Sequence, residues 1–319
     1  MTAVPATQSL TGSSQRRFGD RAFRSVSVAS GVMVLVILGL IAFTSTQKAW
    51  PAFSQEGFGF VLHDDWIPSS DHFGALALIY GTAVSALIAL VFAVPISFGI
   101  ALFVTEVAPA RLARVVTTII DLLAAVPSIV YGLWASIALV PNILGLYKHT
   151  GSATASLPFL HRLFGGDARG YSFMTAGIVL AIMITPIITS LSREALATVP
   201  TSDKAGALAL GATQWEAIRV AVFPKARTGL VAATMLGLGR AMGETIAVSM
   251  IIGSSAQITT HLFSPGATLA GTVASEFGEA SGTHRAALIG LGVVLFFVTI
   301  VINSSARLLM RRAERKLHA

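Results

Sequence analysis

The chain has 319 residues, of which 54% are apolar and only 12% charged, and its mean hydropathy is +0.76. That balance excludes a pair of soluble domains, which the length alone would permit, and describes a polytopic membrane protein. The net charge is +7, and the absence of cysteine excludes disulfides, zinc–thiolate centres and thiol nucleophiles.

Residues 1–25 are polar and carry Arg16, Arg17, Arg21 and Arg24. They read as a tail ending in a short interfacial helix around RRFGDRAFRSV. Residues 26–45 are almost wholly apolar and predict a first membrane span. A cleaved signal peptide is the rival reading, but the apolar stretch exceeds the usual ~7–15 residues and no A-x-A site follows. Residues 46–73 predict a polar loop with Trp50, Pro51, His63, Asp64, Asp65, Trp66 and Asp71. Its His and Asp residues match no metal-ligand spacing and read as solvated. A second span is predicted over about 74–105, with Pro95 inside, and a third over about 115–144, interrupted by Pro127 and Pro141. A polar loop over 146–170 precedes a fourth span over about 173–192, containing Pro186.

The segment from Arg193 to Arg227 is polar and breaks the lipophilic pattern. A fifth span is predicted over about 228–253, a loop with Glu276 and Glu279 follows, and a sixth span covers about 286–306. Residues 310–319 form a basic tail. Each span is near the ~20 residues that cross about 30 Å of hydrocarbon, and backbone groups in lipid must pair internally, so the spans are helices. No internal repeat is evident.

Lys and Arg set the orientation. With the N-terminus in the cytoplasm, sixteen of these residues fall on the inner side, five in the outer loops, and Arg240 inside a span. This positive-inside bias places both termini and the 193–227 segment in the cytoplasm, and the basic residues would meet anionic lipid headgroups rather than nucleic acid.

Two constellations carry chemistry. In the polar segment, small residues at Ala205, Gly206, Ala207 and Gly211 would let a partner approach the backbone. Trp215, Ile218 and Val222, three and four apart, predict one apolar face, and Pro224 is expected to end that helix. An ordinary linker is the bland alternative. In the fifth span, Arg240 and Glu244 are four apart, share a helical face and can pair. An Arg near a bilayer centre costs about 2.5–3.5 kcal/mol on insertion scales. The pair either neutralises itself inside a bundle or serves anion passage, with Arg240 gripping oxygens bidentately and Glu244 competing for the guanidinium so that the anion can leave. Gly237, Gly239 and Gly243 surround it. Asp121 is a solvated helix-end residue or a partner of Arg240. No Gly-x-x-x-x-Gly-Lys-Ser/Thr or Gly-x-Ser-x-Gly occurs in the sequence, so nothing predicts nucleotide binding or catalysis by this chain.

Ala205-Gly206-Ala207, Gly211 and Pro224 have the spacing of the coupling loop of ABC-importer permeases, Glu-Ala-Ala, three residues, Gly, nine residues, Ile-x-Leu-Pro. Here Ala205 stands at the Glu position, Gly206 at the second, Ala221 at the Ile position and Phe223 at the Leu position. GLGRAMGET (237–245), LLAAVPSIVYG (122–132) and AVPISFGIALFVTEVAP (93–109) resemble the permease subunits of the phosphate-specific ABC importer, the PstC type above all, over roughly residues 73–310. The resemblance implies an all-α integral membrane protein of six transmembrane helices. The last five would form a type I importer (MetI-like) core over 74–309, and the helix at 26–45 would be an added anchor. It further implies a second related permease, two ATP-binding subunits that hold ATP and Mg, an extracytoplasmic phosphate-binding protein, and a translocation role for Arg240 and Glu244. Permeation of sulfate or molybdate is the alternative within the class; a transporter or sensor without an ATPase is the alternative outside it.

Overall fold

The computed structural model describes residues 14–165 and 168–315. The first thirteen residues and the last four lie outside the described residues. The structure is almost wholly helical and falls into two compact units, one ending at Gln47 and one beginning at Lys48.

Helix α1 spans Ser14–Glu56. The sequence reading of a tail with its own short helix is corrected here, because residues 14–25 already belong to this continuous helix. Within the first unit the apolar side chains, from Val26 and Val32 through Leu35 to Phe43, are exposed. Burying one such side chain contributes about 1.5–3 kcal/mol, so a helix exposed in this way belongs in lipid. The loop predicted to begin at residue 46 is also corrected. Ala49 and Ala52 are fully buried, Phe53 packs with Phe60, and this burial holds the chain helical to Glu56.

Short helix α2 (Gly59–Leu62) leads to a two-stranded hairpin, β1 (Trp66–Ile67) and β2 (His72–Phe73), with Trp66 opposite Phe73 and Ile67 opposite His72. Helix α3 (Leu76–Leu102) continues into a π turn over Phe103–Val107. Helix α4 covers Ala110–Ala124 and stops before Pro127; α5 (Ser128–Trp134), a π turn (Ala135–Leu139) and α6 (Val140–Ala153) form the next long rod. The single span predicted over 115–144 is therefore two separate pieces. Pro127 has extended backbone (φ −60°, ψ 140°), and the residue before a proline avoids the α region, so the helix ends there.

After α7 (Pro158–Phe164) comes α8 (Phe173–Ala197), capped by Ser172, whose hydroxyl accepts the Thr175 N–H at 3.3 Å. It is the central helix, with most of its side chains buried, whereas α3 and the rod from α5 to α6 keep an apolar face outward. Pro95 and Pro186 lie inside α3 and α8. The Ser97 hydroxyl donates to the Thr185 carbonyl at 3.1 Å and so crosslinks the two helices beside Pro186. Neighbouring helices supplying such bonds is how membrane helices tolerate proline.

The polar segment holds α9 (Thr201–Ala209) and α10 (Gln214–Ala217); a π turn (Ile218–Val222) joins α10 to α11 (Phe223–Met242). Helices α12 (Ile246–Ile251), α13 (Leu269–Glu276) and α14 (Gly282–Arg315) complete the chain. Among the described residues, five helical stretches are long and apolar enough to cross a membrane: 19–56, 76–107, 128–153, 173–197 and 282–305. The stretch predicted as the fifth span fails that test. The helix found there, α11, starts earlier and carries Lys225, Arg227 and Arg240, and the predicted stretch is broken at 243–245 between α11 and α12.

Candidate functional site

The polar segment is held by local chemistry. Helix α9 ends at Gly211, whose φ of +90° lies in the left-handed region where a side chain is strained. The Ala212 N–H reaches the Ala207 carbonyl at 3.2 Å, a Schellman-type closure. Thr213 then opens α10 with a capping box: its hydroxyl accepts the Glu216 N–H at 3.3 Å, and the Glu216 carboxylate accepts the Thr213 N–H at 2.8 Å. Two donors on Thr213, its N–H and its hydroxyl, hold the Glu216 carboxyl below its ordinary range, the backbone N–H contributing most. Lys204 forms an ion pair with Glu106 in the π turn after α3, and Lys225 one with Asp203.

Ala205, Gly206, Gly211, Trp215 and Pro224 are exposed and Ala207 is half-buried. The predicted common face of Trp215, Ile218 and Val222 does not exist. Ile218 and Val222 are buried against Ala101, Leu196, Ala226 and Leu230, whereas Trp215 is 60% and Leu210 92% exposed. Helix α10 is one turn long and the π turn begins at Ile218, so α-helical spacing does not carry across the junction. Nor does Pro224 end a helix. Proline crowds the preceding turn and offers no N–H, and here the wider π turn just ahead of it lets the helix run from Gln214 to Met242.

Arg240 stands in the last turn of α11 and Glu244 in the break between α11 and α12. They are not on one continuous helix, and no ion pair joins them among the described residues. Glu244 is buried and turned to α12, where Oε1 accepts the Ala247 N–H at 3.4 Å. Helix initiation thus takes the carboxylate away from the guanidinium. Arg240 instead lines a cavity of about 550 Å³ with Met235, Leu236, Gly239, Asn303 and Arg307. Of the three glycines, Gly237 serves packing, since a Cβ there would meet Ile188 at 2.6 Å. Gly239 has nothing within 4 Å of such a Cβ, and Gly243 lines a neighbouring cavity with Thr299 and Asn303.

Two features fix this break from the side. Gly132 of α5 packs on α12, where a Cβ would lie 2.9 Å from Ala247 Cα. The Tyr131 hydroxyl, within electrostatic reach of Arg240, donates to the Leu123 carbonyl at 3.0 Å and ties α5 to the end of α4. Asp121 is exposed on α4 and accepts the Ser190 hydroxyl at 3.2 Å; no ion pair links it to Arg240. Together with the Arg193–Thr117 bond at 2.9 Å, it fastens α4 to α8. The sequence reading assigned no role to Tyr131, Thr117 or Ser190, because the Thr117 and Ser190 bonds join residues about 70 apart and the Tyr131 bond crosses a helix break it did not place.

The architecture and sequence were compared with known proteins. The family described as binding-protein-dependent transport system inner membrane component matches residues 93–318. The chain belongs to this family. It is 39% identical to the phosphate transport system permease protein PstC of Mesorhizobium japonicum, over 99% of this chain and 98% of that protein. The MetNI methionine ABC transporter in inward-facing conformations gives a TM-score of 0.53 at 21% identity, covering 75% of this chain and 94% of that one. A bacterial alginate ABC transporter, in complex with an alginate-pentasaccharide-bound periplasmic protein, gives 0.58 at 17% identity, covering 93% of this chain and 98% of that one. These likenesses show the fold: an all-α, MetI-like transmembrane core.

In this transport-family member, the end of the bundle away from α9 and α10 has its own polar lock. The Glu276 carboxylate accepts the Trp66 indole N–H at 3.0 Å and lies 2.9 Å from His284 Nε2. The His284 ring stacks on Phe73. The lock joins the hairpin, α13 and α14 beside a cavity of about 160 Å³ lined by Ser249, Thr268, Thr272 and Ser275. The sequence reading named Trp66 and Glu276 as loop residues but did not pair them, because residues 210 apart carry no local signal.

Proposed function

We propose that this chain is the permease subunit of an ATP-driven, binding-protein-dependent importer of inorganic phosphate. The observation that carries the reading is Arg240. It is a cation without an acidic partner among the described residues, it stands at a helix break and faces a cavity, and its chain is 39% identical to a phosphate permease over nearly its whole length. Unpaired arginine at membrane depth is costly unless it meets an anion or water. Its planar fork suits two oxygens of one phosphate. Glu244, occupied at the start of α12, leaves Arg240 free to bind; a shift of α12 would release the carboxylate to compete for the guanidinium.

Both termini and the 193–227 segment face the cytoplasm, where the segment docks an ATPase subunit. Exposed Leu210 and Trp215 supply its apolar anchors, and the small residues Ala205, Gly206, Ala207 and Gly211 let the partner close on the backbone. The assembly contains a second related permease, two ATP-binding subunits that hold ATP and Mg, and an extracytoplasmic phosphate-binding protein. Hydrolysis occurs on those subunits, and this chain supplies path and gate. The test is radiolabelled phosphate uptake at low external concentration, with and without the chain, against excess sulfate or molybdate, with Arg240→Gln in parallel. Uptake that requires the chain, ignores the competitors and falls in the variant supports the reading. Uptake indifferent to the chain removes phosphate as the substrate.

A further inference from the structure

Helix α14 reads as a plain membrane span, yet its second half carries a polar stripe. Thr299, Asn303 and Arg307 recur every four residues and so share one face. That face lines the two cavities against α11: Thr299 and Asn303 with Gly243, Asn303 and Arg307 with Gly239 and Arg240. The opposite face presents Phe297, Val301 and Leu308, all exposed. Thr299, Asn303 and Arg307 share the cavity side of α14 with the apolar Leu295 and Ile300.

Arg240 and Arg307 thus border one cavity of about 550 Å³. Neither has an acidic partner among the described residues. Two guanidiniums on one cavity repel each other unless an anion sits between them. Asn303 adds an amide that can donate, and among the described residues it makes no hydrogen bond that would use it. Water occupies about 30 Å³ per molecule, so the space admits an anion with part of its hydration shell. Helix α14 starts at the hairpin end, where His284 meets Glu276 and Phe73, and α11 starts at the other end, where Ala226 packs with Ala101, so the two helices run antiparallel and Arg307 lies nearer the 193–227 segment than Asn303 does. Four residues of helix separate Asn303 from Arg307, a rise of about 6 Å.

We infer that Asn303 and Arg307 form, with Arg240, a second oxyanion station for a phosphate group, one step along the path from Arg240 toward the 193–227 end. The inference rests on the phosphate-import reading for its role, and on the cavity for its existence. The phosphate group could be free orthophosphate or the headgroup of an anionic lipid.

The chain's lack of cysteine makes a direct test possible. Asn303→Cys is placed in the assembled complex, and its rate of modification by an anionic methanethiosulfonate is followed. Orthophosphate, but not chloride at equal ionic strength, should slow modification about tenfold in phosphatidylcholine nanodiscs. Adding Arg307→Gln should abolish that protection and Arg307→Lys should restore part of it. Protection by phosphatidylglycerol nanodiscs alone would keep the station and assign it to a lipid headgroup. Protection by neither would overturn the inference. In proteoliposomes with saturating binding protein, Arg307→Gln should also lower the maximal phosphate uptake rate about tenfold. If orthophosphate protects the introduced thiol while the unsubstituted complex transports no phosphate, the import reading fails and the station stands.

Discussion

Replacing Gly132 with alanine tests whether the break beside Arg240 is held by α5. A Cβ at this position would sit 2.9 Å from Ala247 Cα and 3.2 Å from Met250 Sδ. Carbon atoms pack at about 3.5–4.0 Å, so α5 and α12 must part by roughly 0.6–1.1 Å. The first contact is backbone, which cannot swing aside as a side-chain tip can. Over-packing of this kind costs about 1–3 kcal/mol. The displaced turn also holds the Glu244–Ala247 bond, already 3.4 Å long, and losing a capping interaction adds about 1 kcal/mol. The expected destabilisation is therefore about 2–4 kcal/mol, read as a lower melting temperature of the purified protein. Phosphate uptake should fall with it, because Glu244 loses its fixed position. Gly239→Ala is the matched control: a Cβ there meets nothing within 4 Å, and alanine is favoured over glycine in a helix by about 0.5–1 kcal/mol. If the Gly132 variant melts with the control, α5 does not fix the break.

Three further outcomes follow from the polar segment. Gly211→Val forces a β-branched residue to the φ of +90°, at about 1–3 kcal/mol, and should lower both transport and ATPase co-purification while leaving the membrane helices folded by circular dichroism. Trp215→Ala removes an anchor that is 60% exposed, so the melting temperature should hold while ATPase capture weakens by about 2 kcal/mol or more; unchanged capture would exclude Trp215 from the docking surface. The capping box should be acid-sensitive. The Glu216 carboxyl is depressed from its ordinary value of 4.5, so its contribution is complete above that value and lost as pH falls through the lower, folded one. Amide exchange at residues 213–217, corrected for intrinsic rate, should speed up across that acidic window in the wild type, and Glu216→Gln should remove the step.

The long apolar stretches were legible because length and hydropathy alone decide whether a helix can cross a bilayer, and 76–107, 173–197 and 282–305 lie close to where the sequence put them. Direction was not legible. Lipid is as apolar as a bundle core, so apolar spacing does not tell which face of a membrane helix turns inward. Trp215 and Ile218 show the same blindness at the junction of α10 with the π turn, where one faces out and the other in. The division at Pro127 had a usable signal. Arg111, Arg114, Thr117 and Asp121 recur three and four apart on α4, a polar stripe that a lipid-spanning helix would not carry. The extension of α1 to Glu56 had none, since it depends on Ala49, Ala52 and Phe53 finding partners remote in sequence.

The break at 243–245 differs from these cases, because one physical conflict underlies both its misreading and the cavities beside it. A continuous helix from 228 to 253 is what lipid would demand, since free backbone N–H and C=O groups in hydrocarbon cost several kcal/mol each. Irregular backbone at membrane depth persists only where protein buries it or a wet cavity lines it. Here both conditions meet: Glu244 is buried and satisfies the Ala247 N–H, while Gly243 opens onto a cavity that also reaches Arg307. Three cationic residues, Lys225, Arg227 and Arg240, also keep α11 below the apolarity of the other spans. The stretch least suited to lipid thus borders both cavities, together with α14. Closing the break by a Gly243→Ala, Glu244→Leu double change would make the stretch a better membrane span and should raise its thermal stability. Phosphate uptake should then be lost through removal of the path rather than of the fold, and uptake that survived the change would detach the break from transport.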